Sequence, residues 1–178
     1  MTRRAGCRPP CIVVTGVAGT GKTTMARLLA ERLDIPFGEG DDFHSQAAIA
    51  KMSAGTPLDD ADRRPWLESI GRWLHERDEE GTGAVVACSA LKRSYRDTLR
   101  AACPDAFFLH LTASHELLAE RLRRRTGHFM PRSLLDSQLA TLEPLDLDER
   151  GAELDVTPAP DTLADMVMDL LPRHQQRR

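Results

Sequence analysis

Residues Gly16-Val17-Ala18-Gly19-Thr20-Gly21-Lys22-Thr23 constrain this chain more than any other stretch. They have the form G-x-x-x-x-G-K-[ST], which is that of a phosphate-binding loop. The setting supports the match. The apolar, β-branched run Cys11-Ile12-Val13-Val14-Thr15 precedes the loop and reads as a buried parallel strand. Met25, Leu28, Leu29 and Leu33 follow at helical spacing. Glycines let the backbone wrap a polyphosphate without Cβ clashes. Inward-pointing N–H groups and the positive end of the helix then favour an anion. Lys22 is placed to reach the β- and γ-phosphates and the Thr23 hydroxyl to ligate Mg²⁺, with Thr24 completing the nucleotide contacts. A glycine-rich turn that matches by accident is the alternative; a full motif between a strand and a helix argues against it.

The 178 residues suit one domain, 1–178, with a sizeable core. A formal charge of −3 gives no global electrostatic case for nucleic acid or an anionic membrane as partner. No apolar run approaches the roughly 20 residues needed to span a bilayer. The basic segment 1–10 reads as a frayed leader, and the apolar run after it is the strand of the phosphate loop rather than a signal sequence. Cys7, Cys11, Cys88 and Cys103 lack the paired C-x-x-C spacing of a zinc site. Buried, reduced thiols are expected, pointing to the cytoplasm.

Further along, apolar runs and helical stripes alternate, which argues an α/β fold with a parallel sheet covered on both faces. Ile35 to Gly38 is a weak strand leading into Gly40-Asp41-Asp42-Phe43-His44. Ser45 to Ser53 reads as a short helix. Asp59, Asp60 and Asp62 before Pro65 mark a helix start, and Trp66, Leu67, Ile70, Trp73 and Leu74 form the stripe of a long helix. Ala84 to Cys88 and Ala106 to Leu111 are strands, Ser114 is an N-cap, and Pro131 opens a helix carrying Leu134, Leu135, Gln138, Leu139 and Leu142. Glu153 to Val156 and a last amphipathic helix from about Leu163 close the chain.

Three clusters carry chemistry. A kinase acting on a small alcohol needs a carboxylate near the acceptor hydroxyl, and Asp41, with His44 near it, falls at the strand end where open α/β sheets hold ligands. Capping of the next helix is the plainer role for this pair. Arg121 and Arg125 share a helix face with Arg124 alongside, so they could spread charge over transferring phosphoryl oxygens from a lid that breaks at Gly127. A solvated basic helix end is the alternative. Ser89-Ala90-Leu91-Lys92 matches S-x-x-K, but without S-D-N and K-T-G partners that match carries nothing. Cys88-Ser89 stands where many phosphate-loop enzymes have an Mg²⁺-binding Asp, leaving the ion to Thr23, water and Asp41 and arguing against a motor-type ATPase. Asp59, Asp60 and Asp62 could form a metal site, but helix capping explains them more cheaply.

Taken together these stretches resemble the bacterial-type gluconate kinases, over about residues 12–150. The matching pieces are the phosphate loop, Gly40-Asp41-x-Phe43-His44, Lys51-Met52-x-x-Gly55-x-Pro57-Leu58 and Asp59-Asp60-x-Asp62-Arg63-x-Pro65-Trp66-Leu67. They continue with Cys88-Ser89-Ala90-Leu91-Lys92, Tyr95-Arg96-Asp97, Arg121-Leu122 through Arg125, Gly127-His128-Phe129 and Gln138-x-x-Thr141-Leu142-Glu143. The resemblance implies a P-loop, nucleoside-monophosphate-kinase-like fold with a five-stranded parallel sheet, a substrate-binding insertion at about 41–83 and a lid at about 124–135. It also implies a homodimer and transfer of the γ-phosphoryl group of Mg·ATP to the 6-hydroxyl of D-gluconate. Carried over, Asp41 is the base or orienting carboxylate, with Lys22 and Arg125 also catalytic. His44, Lys51, Arg63, Ser89, Lys92, Arg96 and His128 face the sugar acid. Gly16 to Thr24, Arg121 and Arg125 hold the nucleotide, and adenine lies near Thr157 and Pro158. Ser45 stands where the family usually has Pro, which is expected to loosen the following helix. A kinase of another small acid such as shikimate, and a non-catalytic nucleotide-binding switch, are the competing readings.

Overall fold

A computed structural model describes residues 8–124 and 132–171. Five parallel strands, β1 Cys11–Thr15, β2 Phe37–Glu39, β3 Ala84–Ala87, β4 Phe107–Thr112 and β5 Gly151–Asp155, form one sheet in the order β2-β3-β1-β4-β5. Helices α1 Lys22–Leu33, α2 Gln46–Ser53, α3 Asp60–Glu79, α4 Arg93–Ala102, α5 His115–Arg124, α6 Arg132–Thr141 and α7 Pro160–Leu170 connect and cover them.

The two faces follow from the pleat. Ile12 and Val14 of β1 point into one core, where Met25 and Leu29 of α1 meet Leu163 and Val167 of α7. Cys11 and Val13 point into the other, packed by Trp66, Leu67, Ile70 and Leu74 of α3 and by Tyr95 and Leu99 of α4. Both cores are closed by side chains from every neighbouring strand, as expected of a sheet buried on two sides. A third apolar cluster lies at one end of the sheet and joins Val17 and Ala18 of the phosphate loop to Leu91, to Leu118 and Leu122 of α5, and to Leu135 of α6.

Several expectations are adjusted by local chemistry. Helix α3 starts at Asp60, ahead of Pro65, because Asp59 and Asp62 form a reciprocal capping box: the Asp59 carboxylate accepts from Asp62 N at 2.8 Å and the Asp62 carboxylate from Asp59 N at 2.9 Å. Pro65 therefore sits inside the helix. Ser45 does not loosen α2; its Oγ caps the helix by accepting from Ala48 N at 3.2 Å. Of the stretch 41–83, α3 belongs to the core of the sheet, whereas α2 buries only Ala48. The thiols of Cys11, Cys88 and Cys103 are reduced and buried. Cys7 lies outside the described residues, as do Arg125, His128 and Pro131 and most of the expected lid.

Candidate active site

The site lies beyond the carboxyl ends of the strands, where open α/β sheets bind ligands. β1 feeds the phosphate loop, β2 feeds a 3₁₀ turn over Gly40–Phe43 that carries Asp41, and β3 feeds Ser89. Gly40 has to be glycine: a Cβ there would stand 2.4 Å from Ala87 O, so the turn crosses β3 in backbone contact. The indole N–H of Trp66 donates to Gly40 O at 2.7 Å, and its ring stacks on His44 with centroids 4.6 Å apart. One α3 side chain thus holds the positions of both Asp41 and His44.

The phosphate loop is shaped for an anion. Gly19 and Gly21 have φ of +86° and +88°, and nothing lies within 4 Å of a Cβ at Gly21. Gly16 approaches Leu111 O so closely that a Cβ would meet it at 2.6 Å. Lys22 Nζ donates to Val17 O at 3.1 Å, curling over the loop that it is expected to serve. Arg121, on α5, reaches across with Nη1 3.4 Å from Gly19 O and Nη2 3.1 Å from Val156 O.

Two cavities flank the loop. One, of about 420 Å³, is lined by Ala18, Gly19, Gly21, Lys22, Thr23 and Thr24 together with Glu39, Asp41, Ser89, Arg121 and Gln138. The loop, the β2 acid and the β3 serine therefore share one cleft. The other, of about 260 Å³, runs from Gly19, Thr24 and Arg121 to Val156, Pro158, Pro160 and Leu163. It has the mixed apolar character of a base pocket, next to the Thr157–Pro158 segment expected to meet adenine.

One site residue escaped the sequence reading. Glu39, the last residue of β2, accepts a hydrogen bond from Thr23 Oγ1 at 2.8 Å. An acid two residues before Asp41 in Gly38-Glu39-Gly40-Asp41 was the available signal. A hydroxyl beside a carboxylate is a hard oxygen donor set that fits Mg²⁺. Among the described residues no group of three or more His, Cys, Asp or Glu could cage an ion.

The remaining expected contacts divide. His44 Nδ1 is buried without a partner, and burial holds the imidazole below its usual pKa, opposed by Asp41 and reinforced by Arg63. Arg63 donates to the Tyr95 hydroxyl at 2.9 Å. Lys92 pairs with Asp60 at 2.9 Å, which also accepts from Tyr95, and Lys51 pairs with Asp62. The acidic trio is therefore consumed by capping and by these lysines. Arg96 is not a substrate contact. It is fully buried, with Nε and Nη2 bidentate on Glu149 at 2.7 and 2.8 Å. Its other protons go to the carbonyls of Ala90, Leu91, Glu143 and Pro144 at 2.9–3.5 Å, leaving none for a ligand. Through them it braces Ala90, which has φ +35° next to Ser89.

A P-loop on the central strand, a strand-end acid and an arginine over the nucleotide side define a phosphoryl-transfer enzyme of the P-loop kinase class. A family model described as "AAA domain" matches residues 12–131. The chain is 51% identical over 171 residues to a gluconokinase of Gluconobacter oxydans, covering 96% of this chain and 94% of that protein. It is 41% identical over 138 residues to the thermosensitive gluconokinase of Escherichia coli, covering 78% and 74%. A crystal structure of a gluconokinase from Sinorhizobium meliloti superposes with a TM-score of 0.82 at 44% identity, over 93% of each chain. The chain belongs to the gluconokinase family.

Proposed function

We propose that this protein transfers the γ-phosphoryl group of ATP to the 6-hydroxyl of D-gluconate, giving 6-phospho-D-gluconate, with Mg²⁺ as cofactor. The observation that carries the reading is the single cleft shared by the phosphate loop, Asp41 and Ser89, in a chain 51% identical to a gluconokinase. Phosphoryl transfer needs little covalent help from the protein; it needs donor and acceptor placed in line and charge neutralised. The loop amides and Lys22 hold the β- and γ-phosphates. Mg²⁺, when bound, would offset charge on the phosphates, and Thr23 with Glu39 is the pair that would hold it. Asp41 orients the acceptor hydroxyl and takes its proton. His44, its pKa lowered by burial, stands beside Asp41 as a contact for the sugar acid, and Ser89 lines the cleft with Asp41. Arg63, hydrogen-bonded to the Tyr95 hydroxyl, supplies charge for the gluconate carboxylate. Lys51 and Lys92, paired with Asp62 and Asp60, add positive charge for the same substrate. Arg121 stabilises charge on the donor, joined by Arg125 and, on the acceptor side, His128, which lie outside the described residues. A lid at about 124–135, a homodimer and a cytoplasmic location complete the proposal.

ADP release from Mg·ATP, measured against gluconate, other aldonates, shikimate and nucleoside monophosphates, tests it. Stimulation by gluconate, lost in Asp41→Ala with ATP binding retained, is expected. Stimulation by a different acceptor would move the substrate, and no stimulation by any would overturn the kinase reading.

A further inference from the structure

The donor and acceptor walls of the cleft hang from different strands, yet one segment is stitched to both. Gln138, on α6, accepts a hydrogen bond from Ala18 N of the phosphate loop through Oε1 at 2.7 Å. Five residues on, Glu143 N donates to Leu91 O at 2.8 Å, and the Glu143 carboxylate accepts from Arg93 N at the start of α4. Leu91 and Arg93 follow Ser89 on the same connection from β3 to α4. The apolar side of this segment is built to match: Leu135 is fully buried against Val17, Ala18 and Leu91, with Leu139 and Leu142 beside it. Arg96 then clamps the carbonyls of Glu143 and Pro144 from below.

Ala18 N is the informative partner. It lies in the first half of the loop, inside the turn closed by Thr20 N on Val17 O, and it is turned toward Gln138. A backbone N–H in a part-buried position needs an acceptor, and here that acceptor comes from a side chain 120 positions away in sequence. The apolar contacts set how close α6 lies to the loop but tolerate sliding; the hydrogen bond fixes register. We propose that Gln138 is a positioning residue that locks the phosphate loop in register with the Leu91–Arg93 wall. Gln138 thereby sets the separation between the γ-phosphate and the acceptor hydroxyl. The inference rests on the kinase reading above for its effect on turnover, though the latch itself does not.

Two variants separate the roles. Gln138→Met keeps size and removes the acceptor; Gln138→Glu keeps the acceptor and adds a negative charge beside the donor phosphates. For Gln138→Met, kcat with gluconate falls about tenfold, the size of one lost buried hydrogen bond, while the Kd for ATP changes less than twofold. Gln138→Glu shows the converse, with kcat within threefold of wild type at saturating ATP and a KM for ATP raised about tenfold by like-charge repulsion. A purely structural role would lower thermal stability in both without this split. Amide hydrogen exchange supplies a readout independent of the acceptor: a peptide spanning Val17 to Gly21 exchanges about tenfold faster in Gln138→Met and at the wild-type rate in Gln138→Glu. If wild type turns over no gluconate, the kinase reading falls while the exchange rates still decide the latch. Unchanged kcat and unchanged exchange in Gln138→Met overturn it. Should Gln138→Met fail to fold, Gln138→Glu decides alone, and a tenfold loss of kcat at saturating ATP overturns the proposal.

Discussion

Replacing Arg96 by Met gives a sharp test of how the acceptor wall is held. The side chains of Arg96 and Glu149 are both fully shielded from solvent, with their closest contact at 2.7 Å. The substitution strands the Glu149 carboxylate in the interior and leaves the carbonyls of Ala90, Glu143 and Pro144 without their donor, while Leu91 O keeps Glu143 N. Breaking a buried pair by removing one member costs about 3–5 kcal/mol. At about 2–4 °C of Tm per kcal/mol for a chain of this size, Arg96→Met melts about 6–20 °C below wild type. The dependence on pH carries the diagnosis. In the wild type, burial pushes the Glu149 carboxyl up, but Arg96, the Asp146 N–H and Arg93 outweigh it and hold its pKa below the usual value. That contribution is present above the unfolded pKa and lost as pH falls through the folded one. In Arg96→Met the sign reverses: the unpaired carboxylate binds a proton more readily than in the unfolded chain, so the deficit against wild type shrinks between pH 8 and pH 5. Arg96→Met/Glu149→Leu removes both charges and recovers most of the loss at pH 8. The recovery stops about 1–3 kcal/mol short, because Asp146 N and the three carbonyls remain unpaired. Thermal melts followed by circular dichroism at the two pH values make the measurement. Equal destabilisation of the single and double variants at pH 8, or a deficit in Arg96→Met that does not shrink in acid, would refute the reasoning.

Two further predictions follow from the cleft and the sheet beneath it. Glu39→Gln keeps an acceptor for Thr23 Oγ1 but loses the charge, so the Mg²⁺ concentration for half-maximal activity at saturating ATP rises about tenfold; an unchanged Mg²⁺ titration would remove Glu39 from the metal's surroundings. His110, on β4, is 1% exposed with Nδ1 3.2 Å from Thr15 Oγ1, and burial keeps its pKa below the usual 6.5. The unfolded chain then binds more protons than the native one, so stability declines as pH falls from about 7 through 6. His110→Gln should flatten that part of the stability curve, and an equally steep decline in the variant would exclude His110 as its cause.

The parts of the fold that depend on nearby residues were legible in the chain. The phosphate loop, the alternation of buried strands and amphipathic helices, the Ser114 cap and the acids before α3 all follow from spacing and local chemistry. The acids before Pro65 open α3 through the Asp59–Asp62 capping box, and the proline falls inside the helix. Ser45 was read against a family preference for proline, while its own capping chemistry decided the outcome. The site was legible up to the point where long-range pairing takes over. Arg96 carries a charge and stands in a motif, so the family resemblance places it at the substrate; its partner Glu149 lies 53 positions on, and only the fold brings them together. Lys51 and Lys92 illustrate the same limit, since their neutralisation by Asp62 and Asp60 depends on how α2, α3 and α4 meet.

The missing strand-end Asp after β3 has a physical resolution of the same kind. Cys88 follows β3 and is fully encased, its thiol pushed up to about 12 by burial, so a carboxylate there would face an interior with no room for hydrated Mg²⁺. The pairing of Glu39 with Ala87 sets the end of β2 level with the end of β3, one strand further from the phosphate loop. From there the longer Glu side chain reaches Thr23 across the gap that Ala87 and Gly40 leave by having little or no side chain. In the proposed Mg²⁺ role of Glu39 the acid is displaced by one strand, and the small residues between are what allow it to reach Thr23. Shortening Glu39 or enlarging Gly40 would disturb the same contact from opposite ends, which is why the acid, the glycine and the following Asp41 behave as one structural unit.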